Sequence, residues 1–127
     1  MWAKHLIVDM SQGDRARVGS PEHIRRFVDL LIGAIGAKAH GPILLKRVAE
    51  HKPEAAGYAL VQLIETSAIT GHFCYHSGDG YIDILSCKDF EAELALEVVR
   101  GAFRPKHIKF MTLVRQALPP LALRNAS

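Results

Sequence analysis

Three chemically reactive side chains lie near one another in the sequence, in the middle of the chain. Ser67 is followed after five residues by His72 and after twenty by Cys87. A hydroxyl can act as a nucleophile, an imidazole transfers protons near neutral pH, and a thiol can donate a proton. Taken singly, each of these residue types is usually structural, so only their joint spacing indicates a site.

Two strands are expected to carry these side chains. The segments SAITGHFCYH from Ser67 and GYIDILSC to Cys87 are apolar and strand-like, and HSGDG between them is typical of a tight turn. Because a hairpin sets its two strands side by side, the sequence predicts that the serine end and the cysteine end meet. Cys74 is interpreted as a small buried hydrophobe.

The rest of the chain predicts an α+β fold. Strands are predicted over 4–10, 42–50, 57–65, 67–76, 80–87 and 106–116, and helices over 20–36 and 88–101. The order β-α-β-β-β-β-α-β indicates a two-layer α/β sandwich, a mainly antiparallel sheet with two helices on one face. The 57–65 strand is apolar on both faces and is expected inside the sheet. The face of the sheet without helices is expected to pair with a second copy, giving a homodimer.

Cap residues set the predicted helix ends. Ser20 caps the first helix, with Pro21 at its first position, after a loop over 11–20. The second helix is expected to open at Lys88 and to end at Gly101. The tail over 117–127 contains two prolines and is expected to be irregular. The predicted apolar positions of the second helix are Phe90, Leu94 and Val98, flanked by Leu96 and Val99.

Length and composition indicate a single-domain protein that is not a membrane, metal-binding or nucleic-acid-binding protein. The chain of 127 residues suits one domain over 1–127. No apolar run approaches the roughly 18 residues of a membrane span, and the N-terminus is a poor signal peptide, so a cytoplasmic protein without membrane contact is expected. Two cysteines make no disulfide framework, the histidines lack zinc spacing, and the net charge is only +3. We therefore expect no metal and no nucleic-acid partner.

The strand order and the Ser67–His72–Cys87 spacing resemble the small prokaryotic-type S-adenosylmethionine decarboxylases, which are pyruvoyl enzymes made as proenzymes. The segments HLIVDM and IDILSC are similar to the first strand and the cysteine strand of that family. The resemblance implies self-cleavage at the Thr66–Ser67 bond. The products are a β chain, 1–66, and an α chain, 67–127, that begins with a pyruvoyl group derived from Ser67.

The resemblance also implies a role for each side chain. Ser67 attacks the carbonyl before it and becomes the pyruvoyl group, which forms a Schiff base with a substrate amine and accepts the electrons released with CO2. His72 assists processing. Cys87 protonates the α-carbon of the product. No metal is implied.

Several positions differ from the family pattern. Thr66 stands where a glutamate usually precedes the serine, and Ala59 stands where a second serine assists processing. His76 occupies the position of a glutamate that holds the substrate ribose, although a neutral imidazole accepts only one hydrogen bond. Asp9 stands where the family has an acidic residue in the first strand, and its side chain is one methylene shorter. Asp9, Glu65 and His76 are the expected substrate-binding residues.

Three functions remain open on this sequence. The first is an S-adenosylmethionine decarboxylase of spermidine biosynthesis. The second is a pyruvoyl decarboxylase of another amino acid, of ornithine or arginine type, because Asp9, Glu65 and Asp79 can meet a basic group. The third is an unprocessed, non-catalytic dimeric homologue. The small-molecule substrate of the first two is an amino acid.

Overall fold

Six strands and three helices form the part of the chain that this computed structural model describes, residues 2–117. They are β1 (Trp2–Ser11), α1 (Arg15–Val18), α2 (Pro21–Ala34), β2 (Leu44–Val48), β3 (Gly57–Ile64), β4 (Ser67–Cys74), β5 (Asp79–Ser86), α3 (Ala92–Phe103) and β6 (His107–Gln116). The predicted order of strands and two long helices is confirmed. The irregular tail predicted for 117–127 lies, from residue 118 onward, outside the described residues.

The strands form one sheet in the order β2-β3-β4-β5-β1-β6. All neighbouring strands are antiparallel. The consecutive hairpins β2-β3-β4-β5 make up one part of the sheet, and β1 then inserts between β5 and β6. The prediction that β3 lies inside the sheet is confirmed, because it pairs with β2 on one side and β4 on the other.

The two long helices and one face of the sheet enclose the core, which confirms the two-layer sandwich. Ser20 caps α2 by accepting a hydrogen bond at Oγ from the His23 backbone N–H at 3.2 Å. Three buried rings then join the layers. Phe103 of α3 packs 4.8 Å from Phe27 of α2 and 5.0 Å from Phe73 of β4 between ring centroids. Burial of these aromatic surfaces is a major stabilising contribution.

The predicted loop over 11–20 contains the short helix α1, so that part of the prediction was wrong. Asp14 caps this helix, since its carboxylate accepts hydrogen bonds from the backbone N–H groups of Ala16 and Arg17. A single helical turn has no apolar periodicity that would reveal it in the sequence.

The predicted bounds of the second helix were also wrong. It begins at Ala92 rather than Lys88, and it passes through Gly101 to end where Arg104 adopts a left-handed φ of 48°. Two predicted apolar positions of this helix were wrong, because Phe90 lies before the helix and Leu94 is 41% exposed. The buried side chains of α3 are Ala95, Leu96, Val99, Ala102 and Phe103.

The other face of the sheet, called the open face below, carries no helix. It holds the side chains that alternate with the core-facing ones along each strand. An antiparallel sheet usually turns polar residues to water on such a face. Here the open face carries exposed large apolar side chains, namely Leu44, Val61, Leu63, Tyr81, Met111 and Leu113.

Helix length bears on the membrane question. Among the described residues the longest helix, α2, has 14 residues, and no helix is long and apolar enough to cross a bilayer.

Candidate active site

Ser67 begins β4 immediately after a tight hairpin. The strand β3 ends at Ile64, and only Glu65 and Thr66 connect it to Ser67. Ser67 has a φ of 157°, at the edge of the positive range that residues other than glycine rarely adopt. The unusual backbone conformation therefore falls on the residue whose amide nitrogen is joined to Thr66.

The carbonyl group of Thr66 points at the end of β5. Its oxygen accepts a hydrogen bond from the Cys87 backbone N–H, with 2.9 Å between nitrogen and oxygen. Attack of a hydroxyl on this carbonyl would put negative charge on that oxygen. A fixed N–H donor at this distance stabilises such a charge, in the manner of one member of an oxyanion hole.

The side chain of a buried serine next to Cys87 also holds Thr66 in place. Ser86 is 3% exposed, and its Oγ lies 2.8 Å from Thr66 Oγ1. The Lys88 backbone N–H also donates to Ser86 Oγ, at 3.1 Å. Sequence reasoning gave Ser86 no role, although a polar residue just before the cysteine, in an otherwise aliphatic strand, was a signal. We call Thr66, Ser67, Ser86 and Cys87 the junction.

Cys87 is the accessible thiol of the two cysteines. It is exposed and lies in a cavity of about 270 Å³, whose lining includes Trp2, Leu85 and Arg115. Cys74 differs, since it is 4% exposed and its pKa is raised by burial and further by the nearby Asp79 carboxylate. A raised thiol pKa means less thiolate at a given pH, so only Cys87 suits proton exchange with a bound molecule.

His72 lies apart from the junction. It is five residues along β4 from Ser67, a separation of roughly 17 Å at the rise of a strand. The odd spacing also puts the two side chains on opposite faces, with His72 on the open face. The structure thus brings Thr66, Ser67 and Cys87 together within one chain and does not bring His72 to them.

The orientation of the His72 ring is fixed by a backbone contact. Its Nε2 lies 2.7 Å from the carbonyl oxygen of Ala55. Because a carbonyl oxygen only accepts hydrogen bonds, Nε2 is the donor, and Nδ1 of the neutral ring is left as the proton acceptor. The ring is half-buried, so it is both held and reachable from the open face.

A row of polar side chains crosses the open face at the level of His72. Directly paired residues of adjacent strands set their side chains on the same face, about 5 Å apart at Cβ. The register pairs His72 with Tyr81, Tyr81 with Asp9, and Asp9 with Lys109. On the other side of His72 the paired residue is Ala59, which has no polar side-chain atom. We call Ala59, His72, Tyr81, Asp9 and Lys109 the histidine row.

The three expected substrate-binding residues are spread over the molecule. Glu65 lies in the hairpin turn of the junction, where its carboxylate contacts His40 Nδ1 at 3.1 Å. Asp9 belongs to the histidine row. His76 lies beyond the end of β4, exposed, with its ring centroid 4.7 Å from that of Tyr75. Among residues 2–117 no cluster of three or more His, Cys, Asp or Glu side chains has a geometry for a metal ion.

The sequence and the fold match known proteins. The family model for S-adenosylmethionine decarboxylase matches residues 4–116. The chain belongs to the S-adenosylmethionine decarboxylase family. A crystal structure of the adenosylmethionine decarboxylase from Aquifex aeolicus VF5 is similar in fold, with a TM-score of 0.77, 19% sequence identity and coverage of 92% of each chain. No curated protein sequence matches this chain. Family and fold together support an S-adenosylmethionine decarboxylase-like function.

Proposed function

We propose that the chain is a proenzyme that cuts itself at the Thr66–Ser67 bond and then decarboxylates S-adenosylmethionine for spermidine biosynthesis. The observation that carries the proposal is the hydrogen bond from the Cys87 N–H to the Thr66 carbonyl oxygen. It sets an electrophile, a polarising donor, a neighbouring hydroxyl and an accessible thiol side by side. The family membership supplies the reaction class.

Self-cleavage uses groups of the chain itself. Ser67 Oγ attacks the Thr66 carbonyl carbon, the carbon–nitrogen bond breaks, and an ester replaces the amide. A base then removes the Ser67 α-proton, and the Cβ–Oγ bond breaks, which frees the Thr66 carboxylate. Addition of water to the resulting dehydroalanine and loss of ammonia leave a pyruvoyl end on residue 67. The Cys87 N–H stabilises the negative charge in the first step.

The residues of the junction suit the pyruvoyl group that this step makes. That group supplies a ketone that binds the substrate amine and accepts the electron pair released with CO2. Ser86 holds the Thr66 side through its buried hydroxyl. Cys87 offers its thiol as the proton source for the product carbon, because it is the exposed cysteine and its backbone contacts Thr66, the residue before Ser67, across the hairpin.

The cavity beside Cys87 gives the amino-acid substrate a place at the junction. Arg115 is the cationic group of its lining, and the indole of Trp2 adds an apolar surface. A guanidinium pairs well with a carboxylate, so Arg115 directs the α-carboxylate of the substrate toward the junction. This arrangement serves any α-amino acid, which is why substrate choice is part of the test.

The histidine takes part from a second copy of the chain. The open face is apolar where water is expected, and such a surface indicates a protein partner. A two-fold axis running across the strands, between two face-to-face sheets, reverses the strand direction of the partner. The His72 end of one β4 then lies over the Ser67 end of the other, across the roughly 10 Å between packed sheets. The Ser67 side chain lies on the other face of the sheet, so the histidine row of the partner faces the Thr66–Ser67 bond and the Ser67 α-carbon from the side opposite the hydroxyl. The proposed homodimer therefore sets a base over the α-proton that is removed after the ester forms.

The intact mass of the purified protein under denaturing conditions tests self-cleavage. We expect two fragments that meet at Thr66–Ser67, the second with a blocked N-terminus. Incubation of that material with S-adenosylmethionine, ornithine, arginine or lysine should release CO2 from S-adenosylmethionine. One full-length mass that persists after long incubation would contradict the proposal and favour an unprocessed homologue, consistent with the missing hydroxyl at Ala59.

A further inference from the structure

Tyr81 is an unassigned polar group on the apolar open face. It is 50% exposed and is the direct neighbour of His72 on β5. Of the two residues that flank His72 across the sheet, Ala59 offers no polar atom, so Tyr81 is the side chain that can share a proton with the ring. A phenol both donates and accepts hydrogen bonds.

The free nitrogen of His72 needs such a partner. Its Nε2 is committed to the Ala55 carbonyl, which leaves Nδ1 as the acceptor. The Cβ atoms of directly paired residues lie about 5 Å apart, and the phenol of Tyr81 extends further from the sheet than the imidazole of His72. A tyrosine side chain of this length and exposure can set its hydroxyl between the ring and a group that covers the open face.

An acidic and a basic residue follow Tyr81 in the same row, on β1 and β6. Asp9 is its paired residue on β1, and Lys109 is in turn paired with Asp9 on β6. A carboxylate can accept from a phenol or from an ammonium group, and the register sets an imidazole, a phenol, a carboxylate and a cation side by side on one face. The next row of the open face is mainly apolar, since Leu44, Val61, Ile7 and Met111 share one register with Thr70 and Asp83.

We infer that Tyr81 is a further catalytic residue, a hydroxyl that relays a proton between the reacting group and His72. The phenol oxygen takes the proton of the reacting group as its own hydrogen passes to His72 Nδ1, and the transfer reverses when the proton is returned. The inference rests on the proposed self-cleavage and on the second copy that brings the reacting group to the open face.

The test compares self-cleavage rates of three variants by intact mass over time. Tyr81→Phe removes only the hydroxyl, and we expect cleavage to slow by roughly ten- to hundredfold, the effect of one hydrogen bond to a charged group. Tyr58→Phe is the matched control, since Tyr58 lies on the helix-covered face of β3, and it should cleave like wild type. Ala59→Ser combined with Tyr81→Phe returns a hydroxyl to the other flank of His72 and should recover most of the rate.

Each outcome separates this inference from the proposed function. If wild type and Tyr81→Phe cleave equally fast, the proton relay through Tyr81 is overturned and the proposed function stands. Slow cleavage without recovery in the double variant also overturns it, because the loss would then not belong to the hydroxyl. A wild-type chain that never cleaves overturns both.

Discussion

The junction and the histidine row lie at opposite ends of β4, and they are built differently. The junction is closed within one chain, since backbone and side-chain hydrogen bonds join Thr66 to Ser86 and Cys87. The histidine row lies on the open face, with His72 anchored on one nitrogen only and Tyr81 half exposed. The difference teaches that one end is complete as folded, whereas the other has the composition of half a site, which the proposed second copy would complete.

Removal of the Cys87 thiol should have the largest effect, a loss of decarboxylation turnover while self-cleavage continues. The Cys87→Ala variant keeps the backbone N–H that donates to the Thr66 carbonyl, so self-cleavage should continue. It loses the proton donor, so CO2-release turnover should fall by roughly a hundredfold or more. Intact mass and CO2 release measure the two effects on the same sample.

The matched control for this variant is Cys74→Ala, which removes a buried thiol outside the junction. It should cleave and turn over like wild type, at a modest cost in stability from the lost packing. Normal turnover in Cys87→Ala would remove Cys87 from the proton-donor role and would leave the junction without a distinct chemical function for its thiol.

Thiol labelling should show a smaller effect than these substitutions. It directly compares the accessibility of the two cysteine side chains. Iodoacetamide should modify Cys87 near neutral pH and leave Cys74 unmodified in the folded chain. Burial and the Asp79 carboxylate raise the pKa of Cys74, so its thiolate fraction at a given pH is below that of an ordinary cysteine and grows only as the pH rises further. Peptide mass mapping across a pH series checks the order, and equal labelling of both thiols at pH 7 would contradict it.

Local sequence signals predicted the strands and the meeting of Ser67 with Cys87, because a hairpin needs only nearby residues. They did not predict that β1 lies between β5 and β6, since that pairing joins residues about a hundred positions apart, as Ile7 and Met111 show. The C-terminal end of α3 was missed because Arg104, rather than Gly101, takes the left-handed conformation.

The separation of His72 from Ser67 was available in the sequence. Residues five apart on a strand lie on opposite faces, so the spacing alone placed the two side chains on different sides of the sheet. The role of Tyr81 was not available in the same way, because its proximity to His72 and Asp9 depends on the register of three strands.

The most direct test of the divided site is complementation between two variants. Alone, His72→Ala should stay uncut or accumulate an ester that hydroxylamine cleaves, and Ser67→Ala should stay uncut. When the two are co-expressed with tags of different mass, a mixed dimer sets the intact His72 of one chain over the intact Ser67 of the other. We predict that the His72→Ala chain is then cut at Thr66–Ser67, and that it stays whole beside a partner carrying both substitutions. If co-expression leaves it as it is alone, while wild type is cut under the same tags, the claim that a second copy supplies the histidine is contradicted.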